Sequence, residues 1–230
     1  SAVEKVEIDQ GLKDYFIGVY NHMAGGLVVT ALSAFVVANT SLINLMFSAQ
    51  GGMSVLGWLF LFAPLIVVFG FGWVVSRGTL SQVRGVFIAY SALMGVSLAP
   101  IFLVYTGASM ARVFLITAGT FGGMSLYGYT TKRDLTSVGS FLRMGLWGLI
   151  IAMIVNIFMQ SSAFDYALSM LAVVIFVGLT AYDTQKIREI YMSYDDSDIR
   201  GRKVIVGALS LYLDFINLFM ALLRLMGDRR

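Results

Sequence analysis

The sequence predicts an all-α membrane protein, a seven-transmembrane-helix bundle with a central seventh helix, on three observations. Hydrophobic residues make up 58% of its 230 residues and charged residues 13%, with a mean hydropathy of +0.83, against roughly 45–50% apolar and about 25% charged in soluble domains. The charges gather between long uncharged windows, and about 20 apolar residues are enough to carry a helix across the roughly 30 Å hydrocarbon core. Those windows are apolar on every side, whereas strands of a membrane β-barrel alternate apolar and polar residues over about ten positions.

The first stretch, SAVEKVEIDQGLKD (1–14), is polar and mixed in charge. It reads as an N-terminal cytosolic tail without the pattern of a cleavable signal, and 15–230 as one seven-helix transmembrane domain. The first helix is expected over 16–38, with His22, the sole histidine, as an interfacial packing residue at its start. The second (54–75) contains Pro64 and the third (85–105) Pro100. Each proline removes a backbone hydrogen bond and can kink a helix, and both read as packing irregularities. The fourth (111–129) carries Gly119 and Gly123 in a GxxxG, and the fifth (141–159) opens with Gly145 and Gly148; small residues at such spacing let helices approach closely. The sixth and seventh are expected over 167–186 and 204–225.

Basic residues orient these segments. With the N-terminus in the cytosol, twelve of the 16 lysines and arginines fall inside and four outside, as the positive-inside rule requires. Seven crossings then put the C-terminus outside. The basic tail LLRLMGDRR argues for a seventh segment that dips in and returns, but 204–223 is long enough to cross and holds one charge.

Two aspartates stand inside apolar stretches, Asp183 in FVGLTAYDTQKI and Asp214 in ALSLYLDFINLF. A carboxylate near mid-membrane costs at least about 2.5 kcal/mol and marks ion paths, proton relays or catalysis. Around Asp214, the residues Gly207, Ser210, Asn217, Ala221 and Arg224 follow a 3, 4, 3, 4, 3 spacing that lines them up on one helix face. Such a polar seam on an otherwise apolar helix should face other helices, which places the seventh helix at the centre. Asp183 lies one turn before Lys186 and could instead form an interfacial ion pair with it, and Asp214 could be a hydrogen-bonded structural carboxylate. If the two are neighbours, they cannot both ionise cheaply and would share one proton. Simple boundaries leave them about 10 Å apart in depth at 1.5 Å per residue, so pairing requires the seventh helix to start below the membrane surface or the sixth to run past Lys186.

Other chemistries fall away. The chain has no cysteine, hence no disulfide, iron–sulfur cluster or thiolate metal site. No basic stripe interleaves with aromatics, so no nucleic acid is expected. A retinal protein needs a mid-membrane lysine and a rhomboid-type protease a Gly-x-Ser-Gly, where the nearest match is Gly95-Val96-Ser97-Leu98. An intramembrane aspartyl protease would use just such a carboxylate pair, and Tyr182-Asp183 fits it. Its Gly-x-Gly-Asp is replaced by Leu211-Tyr212-Leu213-Asp214, however. Neither an enzyme nor a cofactor is expected.

Three stretches, YGYTTKRDL (127–135), FVGLTAYDTQKI (176–187) and ALSLYLDFINLF (208–219), resemble the signature segments of the transmembrane Bax-inhibitor-motif family, and in particular its bacterial inner-membrane branch. The resemblance runs over 15–230. It implies a seventh helix surrounded by the other six as three pairs, and a pH-sensitive calcium leak whose proton sensor is a hydrogen-bonded Asp183 and Asp214. It also implies an arginine of the second helix that locks the pair closed, for which Arg77 or Arg84 is available; the second segment has no acidic residue for any further gating contact. Calcium takes six to eight oxygen ligands, so two carboxylates with Ser, Thr, Asn and backbone oxygens suit transient passage and define no certain metal site. The alternative within the resemblance is a regulator that docks another membrane protein, such as a membrane protease, on the charged loop EIYMSYDDSDIRGRK (189–203).

Overall fold

The computed structural model describes residues 2–48 and 51–230, and all regular elements among them are helices. They are α1 (Ala2–Ala38), a 3-10 turn (Ser41–Met46), α2 (Val55–Arg77), α3 (Leu80–Leu98), α4 (Ile101–Val104), α5 (Gly107–Thr130), α6 (Thr136–Met159), α7 (Ser162–Glu189) and α8 (Ser197–Met226). Six spans are long and apolar enough to cross a membrane: Gln10–Ala38, Val55–Arg77, Leu80–Val104, Thr136–Met159, Ser162–Glu189 and Ser197–Met226. The all-helical membrane fold stands, and the count of seven crossings is met only as six. α5 has the length, with 24 residues, but its glycines, serines, threonines and Arg112 dilute its hydropathy below that of the others.

Several boundaries differ from the sequence expectation. α1 starts at Ala2, so the polar stretch expected as a tail is helical, while the span apolar enough to cross begins at Gln10. Pro100 does not kink a continuous third helix. α3 stops at Leu98 and α4 restarts at Ile101, as expected where a proline cannot donate to the preceding turn. Pro64 does stay inside α2. At the start of α8, Asp196 Oδ1 accepts the Ile199 amide at 2.8 Å, a side-chain cap that brings DIRGRK into the helix seven residues ahead of the expected start.

The chain forms two compact units. One comprises Ser1–Tyr105, Tyr191–Leu209 and Arg230, the other Thr106–Ile190 and Ser210–Arg229. In the first, α1 and α3 come so close at Gly95 that an added Cβ would lie 2.3 Å from the Thr30 carbonyl oxygen, and Thr30 Oγ1 donates to the Ser91 carbonyl at 2.8 Å. Ser54 caps α2, and Thr79 with Gln82 forms a capping box on α3. Arg202 donates to the last-turn carbonyl of Val75 at 2.7 Å, where a cation suits the helix dipole.

In the second unit the segment after α8 fastens to the first turn of α5. Thr106 N donates to the Asp228 carbonyl at 3.0 Å, Asp228 N to Ser109 Oγ at 2.8 Å, and Arg112 pairs with the Asp228 carboxylate at 3.0 Å. The last turn of α7 meets the opposite end of α5, through Arg188 and the carbonyls of Tyr129 and Thr131. Ser210–Met226 of α8 belongs to this unit. α8 is by far the most buried span, 72% against 39% for α7.

Candidate functional site

The C-terminal half of α7, LTAYDTQKIRE, is fixed almost side chain by side chain within the second unit. Ala181 lies against Gly128 of α5, where an added Cβ would come within 2.2 Å of the Ala181 carbonyl oxygen. The Tyr182 ring lies over Gly139 of α6, which has no Cβ to obstruct it. Thr184 Oγ1 donates to the Thr180 carbonyl at 2.7 Å and shares a hydrogen bond with Ser125 Oγ of α5 at 2.9 Å. Gln185 bridges the α5–α6 loop, accepting the Leu135 amide at 2.8 Å and donating to the Arg133 carbonyl at 2.7 Å. Arg188 donates to the Tyr129 and Thr131 carbonyls at the C-terminal end of α5. Two of the three signature stretches thus exist to hold each other.

Between these contacts, Asp183 points to α8. Its carboxyl group and that of Asp214 lie within hydrogen-bonding reach of each other. Asp214 is 4% exposed and Asp183 partly buried. The depth offset is removed from both sides: α7 continues past Lys186 to Glu189, and α8 begins at Ser197, which puts Asp214 seventeen residues (197 to 214) or about 25 Å into its helix. Asp214 Oδ2 is fully buried with no conventional donor facing it.

The cations acting on Asp183 are Lys186, one turn on, and Arg143 of α6. Arg143 lies inside α6, which starts at Thr136, five residues before the expected 141, and inside a membrane-length span. Its Nη2 donates to the Tyr182 hydroxyl at 2.5 Å and its guanidinium sits 4.7 Å from the centroid of the same ring. The one sequence signal for the earlier start is Asp134, whose Oδ1 accepts the Thr136 amide at 2.8 Å and so initiates the turn.

The other expected site residues fare differently. Ser210 is partly buried, whereas Asn217 is exposed and donates to the Leu213 carbonyl of its own helix at 2.8 Å, so the polar seam is buried at Asp214 and open one turn later. Arg77 is the last residue of α2, exposed, with its guanidinium 5.9 Å from the Trp73 ring centroid. Arg84 belongs to α3 and is exposed. His22 bonds through Nδ1 to the Gly18 carbonyl at 2.8 Å. In the charged stretch 189–203, whose second part is the first two turns of α8, Lys203 pairs with Asp195 at 2.6 Å and Arg202 with Asp198 at 2.7 Å, so four of its seven charged residues pair within it. Among the described residues, no group of three or more His, Cys, Asp or Glu gathers as a metal site.

Residues 12–230 match the protein family described as inhibitor of apoptosis-promoting Bax1. An uncharacterized protein of Rickettsia prowazekii is 45% identical over 223 residues, covering 96% of this chain and 92% of the relative. The inner membrane protein YbhL of Escherichia coli K12 is 44% identical over 223 residues, covering 96% and 94%. An uncharacterized protein of Borreliella burgdorferi is 45% identical over 226 residues, covering 95% and 94%. None of these descriptions names an enzymatic activity.

Proposed function

Because the chain belongs to the Bax inhibitor family, we propose that it is a multi-pass protein of the bacterial inner membrane that passes calcium in a pH-dependent leak, with Asp183 and Asp214 as the proton-sensing pair. The observation that carries this reading is the approach of the two carboxyl groups from α7 and α8. Two buried carboxyl groups in reach of one another hold a single proton, because the second charge would meet both desolvation and a like charge. That proton supplies the hydrogen bond Asp214 Oδ2 otherwise lacks. Its loss leaves two charges repelling across the α7–α8 contact and offers a cation two carboxylates in an otherwise apolar span.

In this reading α5 makes the seventh crossing and α8, with its high burial, is the central helix. The N-terminus is cytosolic and the C-terminus outside, which follows from seven crossings and the distribution of lysine and arginine between them. Arg77, at the end of α2, is the residue available as a closed-state lock.

The test is calcium flux in proteoliposomes across a pH series. Asp183→Asn and Asp214→Asn should each flatten the pH dependence, and the double variant should abolish it. Unchanged pH dependence in the double variant would sink the mechanism.

A further inference from the structure

We propose that the start of α6 carries a binding site for an anionic phospholipid, in which Arg143 and the Ser140 hydroxyl hold the lipid phosphate and Trp147 marks the level where the acyl chains begin. The site is separate from the carboxyl pair, and its test does not depend on calcium passage.

Arg143 stands in need of a counter-charge. It is exposed, seven residues (136 to 143) or about 10 Å into a helix long and apolar enough to cross a membrane. A cation facing lipid at that depth is costly unless it reaches the interface or meets an opposite charge. No carboxylate of the described residues forms an ion pair with it. What holds it is Tyr182, whose hydroxyl accepts from Nη2 at 2.5 Å and whose ring centroid lies 4.7 Å from the guanidinium. Neither contact cancels the charge, and of the five N–H donors of an arginine one is engaged.

The same contacts set the direction of the side chain. Tyr182 packs on Gly139, one turn before Arg143, so the guanidinium is carried back toward the N-terminal end of α6, as helical side chains lean. With 24 residues α6 is about 36 Å long, more than the roughly 30 Å of hydrocarbon. Its polar first turns, with Thr136, Ser137 and Ser140, therefore extend into the headgroup layer.

The face that carries Arg143 is ordered like an amphiphile. Thr136, Ser140, Arg143 and Trp147, spaced 4, 3 and 4, share one side of the helix, and all four are exposed. Beyond them the face continues with the exposed Ile151 and Ile154. Hydroxyl and guanidinium match a phosphate, tryptophan matches the headgroup boundary where it is enriched, and the isoleucines match acyl chains. The planar fork of arginine suits a phosphodiester in a way an ammonium does not. Asp134 is occupied by the Thr136 hydroxyl and amide, which leaves Ser140 as the hydroxyl beside Arg143. Lys186, exposed one turn after Tyr182 on the same face of α7, brings a second cation to this end. The occupant is a lipid and not free phosphate because Phe141 and Met144, 69% and 67% exposed, flank the site with apolar side chains.

Trp147 serves as the reporter. The chain has three tryptophans, and Trp58→Phe/Trp73→Phe, at two exposed positions, leaves the one on this face. Its fluorescence is measured in vesicles of phosphatidylcholine containing phosphatidylglycerol, with bromine as quencher on the acyl chains of one lipid or the other. The ratio gives the enrichment of phosphatidylglycerol at Trp147 over the bulk. The expected enrichment is about fivefold, the effect of one basic residue on an anionic lipid. Arg143→Gln should bring it close to onefold. Ser140→Glu should do the same with Arg143 in place, because a carboxylate three residues earlier takes the guanidinium. Ser137→Glu adds the same charge on another face of α6, and Lys132→Gln/Arg133→Gln removes two exposed loop cations; both should keep most of the enrichment.

Absence of enrichment in the Trp147-only protein overturns the site. Enrichment that survives both Arg143→Gln and Ser140→Glu, or that falls as far in the two controls, overturns it in favour of general attraction to a basic surface. Enrichment abolished by inorganic phosphate at constant ionic strength overturns the lipid as occupant and assigns the anion to solution.

Discussion

Replacing Gly128 by alanine should loosen the seat of Asp183 through Ala181, two residues before it on α7 and fifty-three from Gly128 in sequence (128 to 181). The added Cβ would lie 2.2 Å from the Ala181 carbonyl oxygen and 2.9 Å from its C and Cα atoms. These are backbone atoms of a helix and cannot rotate aside, so relief to an ordinary contact near 3.4 Å requires α5 and α7 to part by roughly 1 Å. Overpacking of this kind costs about 1–3 kcal/mol. The neighbouring Ser125–Thr184 hydrogen bond would stretch with it, at about 1 kcal/mol for a bond between neutral groups. Against this stands a helix-propensity gain of about 1 kcal/mol for glycine to alanine. The net is a destabilisation of about 1–3 kcal/mol. Gly123→Ala is the internal control, since a Cβ there meets nothing within 4 Å and keeps only the propensity gain. Unfolding of the two variants in mixed micelles, followed by tryptophan fluorescence, should put Gly128→Ala below the native protein and Gly123→Ala at or above it. Equal stability of the two variants would refute the close approach of α5 and α7.

Two further outcomes follow from the same region. Gln185→Ala leaves the Leu135 amide and the Arg133 carbonyl without their partner, so stability in the same assay should fall by about 1–3 kcal/mol, and Gln185→Glu, which keeps only the acceptor, should fall less. Hydrogen bonds donated to its carboxylate by the Thr136 side chain and backbone amide hold Asp134 below the ordinary carboxylate range; because the folded value is depressed, its contribution to the start of α6 is present above the unfolded value of about 3.8 and is lost as pH falls through the folded one. The Thr136 amide resonance should therefore titrate at acid pH in the native protein and stay flat in Asp134→Asn.

How much was legible in the chain depended on whether the signal was one of composition or of three-dimensional fit. Apolar windows and the two embedded aspartates stand out because the bilayer penalises every polar group, and the helical membrane class follows from them. Glycine roles did not. The Gly119–Gly123 pair has the familiar spacing, yet both positions are open, while the glycines of the second unit in close contact are Gly128, Gly139 and Gly178, which face Ala181, Tyr182 and Leu142. Spacing says that a helix has a smooth face, and only the neighbour's position says which face is used. Helix starts were misplaced for a related reason. Asp196 caps α8, and Asp134 bonds the first amide of α6, several residues ahead of the apolar runs, and hydropathy is silent about polar turns that are helical. The displacement at α8 created the depth offset between the two carboxylates.

The fastening of α7 also bears on which element can answer a change in charge. From Ala181 to Arg188 nearly every residue that faces α5, α6 or their loop is engaged there, by two close glycine contacts, the Ser125–Thr184 bond, the Gln185 bridge and the Arg188 cap. Asp183 is the side chain of this stretch that meets Asp214. Repulsion between the two carboxylates, in the proposed mechanism, is then taken up on the side of α8, since displacing α7 would break those contacts together. Ser125→Cys/Thr184→Cys tests this directly. The two oxygens are 2.9 Å apart, and the chain has no other cysteine to confuse the reaction. Oxidation to the disulfide should fix α5 to α7 and leave the pH dependence of flux as it is in the reduced protein. Loss of that dependence on oxidation, restored by a reductant, would show that α7 itself must move and would reverse the assignment.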